Sequence, residues 1–513
     1  MIEKINKLRR QAKALRKDIS GGEPLARKRV LDVLPEALEA LPLKHADALH
    51  VVAREQGHKS WPRLKASLET AALDRSAKAE KLKLALFTGN RRHLEAILAA
   101  APDIAGDNLG LACALYRTDL IAAALEKDRL LATRLVGVRT PLLHLCFSRF
   151  HLMGGAIADA TAVAGLLVAA GASVDESYPS EPGSDHRLSA LYGALGHAQN
   201  LELAKWLLER GANPDDDESL YHSTELGHHE GLKLLLRHGA RPGGTSALPR
   251  ALDFNDFGAV QLLLDAGADP NEGWVEHPSG QPSGLLPALH QAARRMCSAE
   301  IAELLLQNGA DPTLSYQGHT AYAFARVYGN VAVAQAIEAS AGALPLSPVE
   351  HTIARAVEGT ASAQDRIDVA SLSDELQRLL TRLVWQEGTL PALQRLVAIG
   401  FDPDQTDEMG TPPVQLAGWE GMPDKMAFFL TLGPDIDFVN GYGGTLFSTV
   451  LHGSENCPQR AERDHIGCMR LALEAGAKIP RAAIDGAVDD EMAAFLEDWA
   501  EAQPGQVVED GPW

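Results

Sequence analysis

Apolar residues recur at spacings of three and four along most of this chain, and short polar or glycine breaks interrupt them. The clearest run is Leu191 to Asn213, LYGALGHAQNLELAKWLLERGAN. Leu191, Ala194 and Leu195 share one face of a predicted helix. Gly196 to Asn200 breaks the pattern, Leu203, Ala204, Leu207 and Leu208 restart it, and Gly211 ends it. A helix often closes on one left-handed residue, a conformation that costs least without a Cβ. The same ending recurs at Gly171, Gly239, Gly267, Gly309 and Gly400, and more weakly at Gly433 and Gly476. From Gly171 onward the spacings are 40, 28, 28, 42, 91, 33 and 43 residues. A helix–turn–helix unit of about 33 residues, with deletions and insertions, accounts for most of them. The interval of 91 leaves room for about two further units.

Before these units the pattern predicts helices at 1–20 and 23–41, then a helix, a turn at Gly57 and a helix beginning after Ser60 and Pro62. Residues 82–108 form a first repeat, and a degenerate one follows at 109–135. The two 28-residue spacings leave too few residues for a full β-hairpin, so those units should have clipped fingers. Glu176–Arg187 and Glu272–Gly284 lengthen finger positions, and His452–Asp464 lies between two helices. Ile157–Ala162 is read as lengthening an inter-helix turn. Each of the three longer insertions carries Pro, Gly or Ser and should be a loop. After Gly342 the pattern blurs. Domains are expected at 1–80 (a basic helical cap), 81–343 (the array), 344–500 (degenerate repeats and a C-terminal cap) and 501–513 (a flexible acidic tail).

The motif Thr140-Pro141-Leu142-Leu143-His144-Leu145 approximates the TPLHxA opening of the ankyrin repeat. Leu286-Pro287-Ala288-Leu289-His290, Gly318-His319-Thr320-Ala321-Tyr322-Ala323 and Gly410-Thr411-Pro412-Pro413 are further versions. With the paired helices and the LLxxGAxPx endings, the chain resembles the ankyrin-repeat family from roughly residue 82 to 498. The run Ala53-Arg54-Glu55-Gln56-Gly57-His58-Lys59-Ser60-Trp61-Pro62-Arg63-Leu64-Lys65 is similar to a segment at the N-termini of many bacterial ankyrin-repeat proteins, with His58 in place of the usual Phe. The resemblance implies an all-α, ankyrin-like solenoid with an N-terminal helical cap and a degenerate C-terminal half. It also implies a protein-binding function, without naming the partner. Trp61 is read chiefly as packing in the cap.

Composition changes this picture little. Aromatic residues are only 5% of the 513, as thin helix layers of Ala and Leu require. The net charge of −20 argues against a nucleic-acid partner and mildly favours a partner with a basic face. Residues 1–30 run the other way, with ten Lys/Arg against three Asp/Glu. Cys113, Cys146, Cys297, Cys457 and Cys468 are odd in number and lack C-x-x-C spacing, which fits a reducing cytoplasm. No apolar run is long enough for a membrane span, and a monomer is expected.

The candidate chemistry is thin. No phosphate-binding loop, nucleophile elbow or H-E-x-x-H motif occurs, so no catalytic residue, cofactor or metal is assigned and no enzyme activity is expected. His222, His228, His229 and His238 are the best metal candidates, but a helix length separates them. Asp215-Asp216-Asp217-Glu218 reads as a solvated acidic finger. Rings in polar finger loops are the binding candidates: Tyr178, Trp274, Tyr316 and Tyr442. The expected function is a scaffold, adaptor or inhibitor that presents its finger and concave face to a protein. Two alternatives remain open: an enzyme with its site in residues 343–500, and a self-regulated binder whose helix 1–20 docks on the acidic array.

Overall fold

The computed structural model describes residues 2–39, 41–272, 286–362, 365–487 and 489–509. The chain divides into two compact units, 1–288 and 289–513. The fold is an all-α helical solenoid of helix pairs, with only three two-stranded sheets among the described residues.

The first unit opens with α1 (Ile2–Ser20), α2 (Pro24–Leu31), α3 (His45–Glu55) and α4 (Trp61–Ala72). Ile5, Leu8, Ala12, Leu15 and Ile19 of α1 are buried, and they pack with Val51, Val52, Trp61 and Leu64. The helix expected over 23–41 stops at Leu31, and a 3-10 turn follows at Pro35–Leu38. Pairs then follow: α5 (Arg75–Thr88) with α6 (Arg91–Ala100), α7 (Leu109–Ala114) with α8 (Thr118–Lys127), and α9 (Pro141–Cys146) with α10 (Ile157–Ala169). A finger of two antiparallel strands, β1 (Ser177–Pro179) and β2 (Arg187–Ser189), leads into α11 (Ala190–Tyr192). A π-helical stretch (Gly193–His197) continues α11, and α12 (Leu201–Leu208) pairs with it. The pairs α13 (Ser219–Ser223) with α14 (Glu230–Arg237) and α15 (Ala247–Asp253) with α16 (Phe257–Asp265) complete the unit. No strand occurs between Ala190 and Asp265, as the short spacings predict.

The second unit holds α17 (Ala288–Arg294, starting at the boundary) with α18 (Ala299–Gln307). A short hairpin follows, β3 (Ser315–Tyr316) with β4 (His319–Thr320), and then α19 (Ala321–Tyr328) with α20 (Val331–Ala341). Next come α21 (Pro348–Glu358), α22 (Asp374–Gln377), α23 (Leu379–Leu383) and α24 (Leu390–Ile399). Among the described residues between α21 and α22 the only helical element is a 3-10 turn at Val369–Ser371, so α21 has no paired second helix there. The remainder is α25 (Pro413–Trp419) with α26 (Pro423–Leu430), α27 (Leu446–Asn456) with α28 (His465–Glu474), and finally α29 (Arg481–Gly486) and α30 (Asp490–Ala502). Residues 501–508, expected as part of a flexible tail, end α30 and add β6 (Val507–Val508), parallel to β5 (Ile479–Pro480). The Gln506 amide donates to the carbonyls of Leu473 and Ala477 there. Trp513 lies outside the described residues.

Two local devices set the repeat. All eight ending glycines have positive φ, from 75° at Gly433 to 126° at Gly400, so the sequence signal has the backbone meaning it suggested. At the start of the second helix, the side chains of Asn90, Asn200 and Asn330 each accept the N–H of the third helical residue, at 3.1–3.2 Å. One expectation shifts in place. Ile157–Ala162 is the start of α10, and the lengthened turn is 147–156, with a 3-10 turn at Phe150–Met153.

Candidate functional site

The first helices and a finger of unit 1 enclose an open cleft of about 390 Å³. Helix α5 contributes Leu86 and Phe87, α7 contributes Leu111 and Ala114, and the finger turn Val136–Arg139 closes one side. Gly110 also lines it, and a Cβ there would lie 2.8 Å from the His144 ring. That ring is placed by its Nε2, which donates to the Val136 carbonyl at 2.8 Å and ties α9 to the finger. Burial lowers the His144 pKa, so the ring is neutral and acts as a fixed strut. Thr140 caps α9 by accepting the Leu143 N–H at 3.4 Å. The TPLLHL motif thus spends its polar groups on local order.

Arg139, the residue before that motif, supplies the cleft's charge. Its guanidinium carbon lies 4.4 Å from the Tyr178 ring centroid, 4.7 Å from Phe147 and 4.8 Å from Phe87. Its Nη2 donates to the Tyr178 hydroxyl. Among the described residues no carboxylate pairs with it, and its buried Nε has no acceptor there. The cleft's other charges, Lys83 and Glu80, pair with each other at 2.7 Å. Val138, which lines the cleft, and Leu84, next to lining residues on α5, are 70% and 61% exposed.

This placement corrects the expectation for Tyr178. Its ring is buried, not displayed, and meets Phe147 edge-on at 5.2 Å. Strand pairing explains this: β1 and β2 set Tyr178 opposite Leu188 and turn its ring onto the helices. Tyr316 is half-buried, 6.0 Å from the Phe324 ring and 6.4 Å from His290. Tyr442 is 74% exposed on a turn in which Asn440 N–H donates to the Gly444 carbonyl, and Phe438 and Val439 are exposed nearby. Trp274 lies outside the described residues.

The acidic finger also differs from expectation. Asp215 pairs with Arg241 at 2.7 Å. Asp216 accepts from Ser219 N–H and Oγ, both at 2.7 Å, and burial raises its pKa. Glu218 is buried between His186 (2.5 Å) and His222 (2.9 Å). A charged ladder continues from there. His222 Nδ1 lies 2.8 Å from Glu225, which accepts from Arg250, which donates to Asp253. Burial alone would lower the His222 pKa, but the hydrogen bonds to Glu218 and Glu225 outweigh it and raise it to about 9. His229 pairs with Asp256 at 2.8 Å, and His228 Nδ1 accepts the Glu230 N–H. The four histidines therefore do not converge. All five cysteines are free and buried.

In unit 2, sequence reasoning missed a buried ion cluster and a hydrogen-bonded row. Glu375 accepts from Arg294 at 3.1 Å, from Arg382 at 3.5 Å and from the Tyr328 hydroxyl. Burial would raise its pKa, but the two guanidinium groups hold it at about 2. The row runs from Ser373 Oγ to His319 Nε2 at 2.9 Å, and from His319 Nδ1 to Glu350 Oε1 at 2.5 Å. Ser373 also accepts the Leu376 N–H as the cap of α22, and Glu350 completes a capping box with Ser347. No spacing in the sequence signals either cluster, because apart from Arg382, 7 residues from Glu375, the contacting members lie 31 to 81 residues apart.

Stacked helix pairs with glycine stops, capped second helices and finger turns define a repeat protein of the helical solenoid class. A family model described as ankyrin repeats (3 copies) matches residues 191–273, and one described as ankyrin repeat matches 286–315. Over those residues the chain is similar to ankyrin repeats. The crystal structure of the human ASB11 ankyrin repeat domain is similar to it at 20% identity and a TM-score of 0.24, covering 48% of this chain and 96% of that one. No curated protein matches the sequence. Ankyrin repeats are generally protein–protein interaction modules, and no described helix is long and apolar enough to cross a membrane.

Proposed function

We propose that this chain acts as a scaffold, adaptor or inhibitor that receives a protein segment on the first-helix and finger face of unit 1. The observation that carries this reading is the open, largely apolar cleft beside the exposed side chains of Leu84 and Val138. Exposed apolar groups around a concavity mark interaction sites more often than solvent-facing accidents. Rigid helix pairs position the lining before the partner arrives, which limits the ordering cost of binding. The array's negative charge favours a partner that is basic outside the contact itself. The exposed finger of Phe438, Val439 and Tyr442 is a second contact candidate on unit 2. The test compares wild type with Leu84→Glu/Val138→Asp in cross-linking capture from native lysate. Both positions are exposed, so the melting temperature should hold while a specific partner is lost. Equal capture by the variant sinks the assignment of this face.

A second reading is acyl-transfer chemistry, favoured only by the Ser373–His319–Glu350 row, which has the order nucleophile, base and orienting carboxylate. Helix capping already accounts for Ser373 and Glu350. Fluorophosphonate labelling that disappears in Ser373→Ala would support this reading, and an unlabelled wild type refutes it.

A further inference from the structure

We infer that the Arg139 cleft is a receptor for the free C-terminal carboxylate of a protein whose last side chain is apolar. This rests on the interaction reading and specifies what the face recognises. A guanidinium carries five N–H donors arranged as a fork that matches a carboxylate. Here one donor meets a tyrosine hydroxyl, three aromatic rings face the cation, and no acid among the described residues answers it. Ordinarily a half-buried arginine is paired, because an unanswered buried charge is costly. The neighbouring acid, Glu176, bonds instead with Thr140 and the Ser173 N–H. Cation–π contact offsets part of that cost and holds the guanidinium in place. It cannot use the remaining donors, of which Nε is buried. The cleft therefore presents a positioned cation above an apolar floor of Leu86, Leu111 and Ala114.

That juxtaposition selects the terminus over an internal acidic residue. In a C-terminal residue the carboxylate and the side chain branch from one Cα, so both enter a cleft of about 390 Å³ together. In an extended internal segment, an acidic residue and its apolar neighbour point to opposite sides. An acidic stretch is further opposed by the net charge of −20, whereas one terminal charge on a neutral or basic tail is not.

The test is fluorescence anisotropy on the full chain with labelled hexapeptides in three forms. One ends in Leu or Phe as the free acid, one is the same peptide amidated, and one is amidated with an internal Glu beside Leu. The free acid should bind at least tenfold tighter than its amide and than the internal-Glu peptide. Arg139→Lys, which keeps the charge but not the fork, should lose most of that ratio. The acid–amide comparison on wild type requires no variant, so misfolding of an Arg139 substitution leaves it decisive. Equal binding of acid and amide, or no binding of any peptide at millimolar concentration, overturns the inference. So does tighter binding of the internal-Glu peptide. A partner that is lost from Leu84→Glu/Val138→Asp while acid and amide bind alike would leave the interaction face standing and remove only the terminal-carboxylate role.

Discussion

Replacing Glu375 by Gln removes one buried negative charge and leaves its shape. Glu375 is 3% exposed, and the Arg294 and Arg382 side chains around it are 17% and 21% exposed. Among the described residues Arg294 would keep the Gln291 carbonyl oxygen as its side-chain acceptor, at 3.2 Å, while Arg382 would keep Glu408. Breaking a buried pair by removing one partner costs about 3–5 kcal/mol. The surviving Glu408 contact puts this case at the lower end. The carboxyl's fall from 4.5 to about 2 gives a similar figure, about 3 kcal/mol. For a unit of this size that predicts a loss of roughly 6–12 °C in melting temperature, read by circular dichroism or calorimetry. The sign with pH follows from linkage. A carboxyl depressed in the folded state stabilises fully above about pH 4.5, and the contribution disappears as pH falls toward 2. The gap between wild type and Glu375→Gln should therefore close across that range. A loss under about 1 kcal/mol at pH 7, or a gap that persists at pH 2–3, refutes the reasoning.

Three other outcomes follow from the same geometry. His222→Gln should destabilise unit 1 at neutral pH. Because the folded pKa is raised to about 9, the wild-type advantage is complete below about 6.5 and should fade as pH rises through 9 in urea melts. Gly193→Ala should cost about 1–3 kcal/mol, since its Cβ would sit 2.5 Å from the Phe147 ring; an unchanged midpoint would show that the ring yields freely. Tyr178→Ala should lose about 3–5 kcal/mol by emptying space over Phe147, so a binding defect in that variant is interpretable only against its melting curve.

The helix pairs were legible because their signals are local. A glycine with positive φ and an asparagine at a helix start act within a few residues of themselves, so Gly211 and Asn200 carry their meaning in the sequence. The absent strands between Ala190 and Asp265 followed from counting residues. What stayed hidden depends on stacking. Arg139 reads as an ordinary basic residue until Phe87, Phe147 and Tyr178 close around it from 52, 8 and 39 positions away. Tyr178 looked displayed because its neighbours are polar, but strand register, which polarity does not report, turned it inward. Asp216 and Glu218 looked solvated for the same reason, and their partners Ser189, His186 and His222 come from the preceding finger and the following helix.

The Arg294–Glu375 contact also bears on how such an array can change length. Where each unit touches only the next, a whole repeat can be duplicated or lost by recombination, and the new junction resembles the old. Between α17 and α22 that freedom is gone. Arg294 and Glu375 stand 81 residues apart, with the α19/α20 pair and the solitary α21 between them. Inserting one unit there would carry the carboxylate a full layer from its arginine and strand both charges. Deleting one would drive them past each other. Homologues that vary in repeat number should therefore vary elsewhere in the chain and hold this interval at constant length.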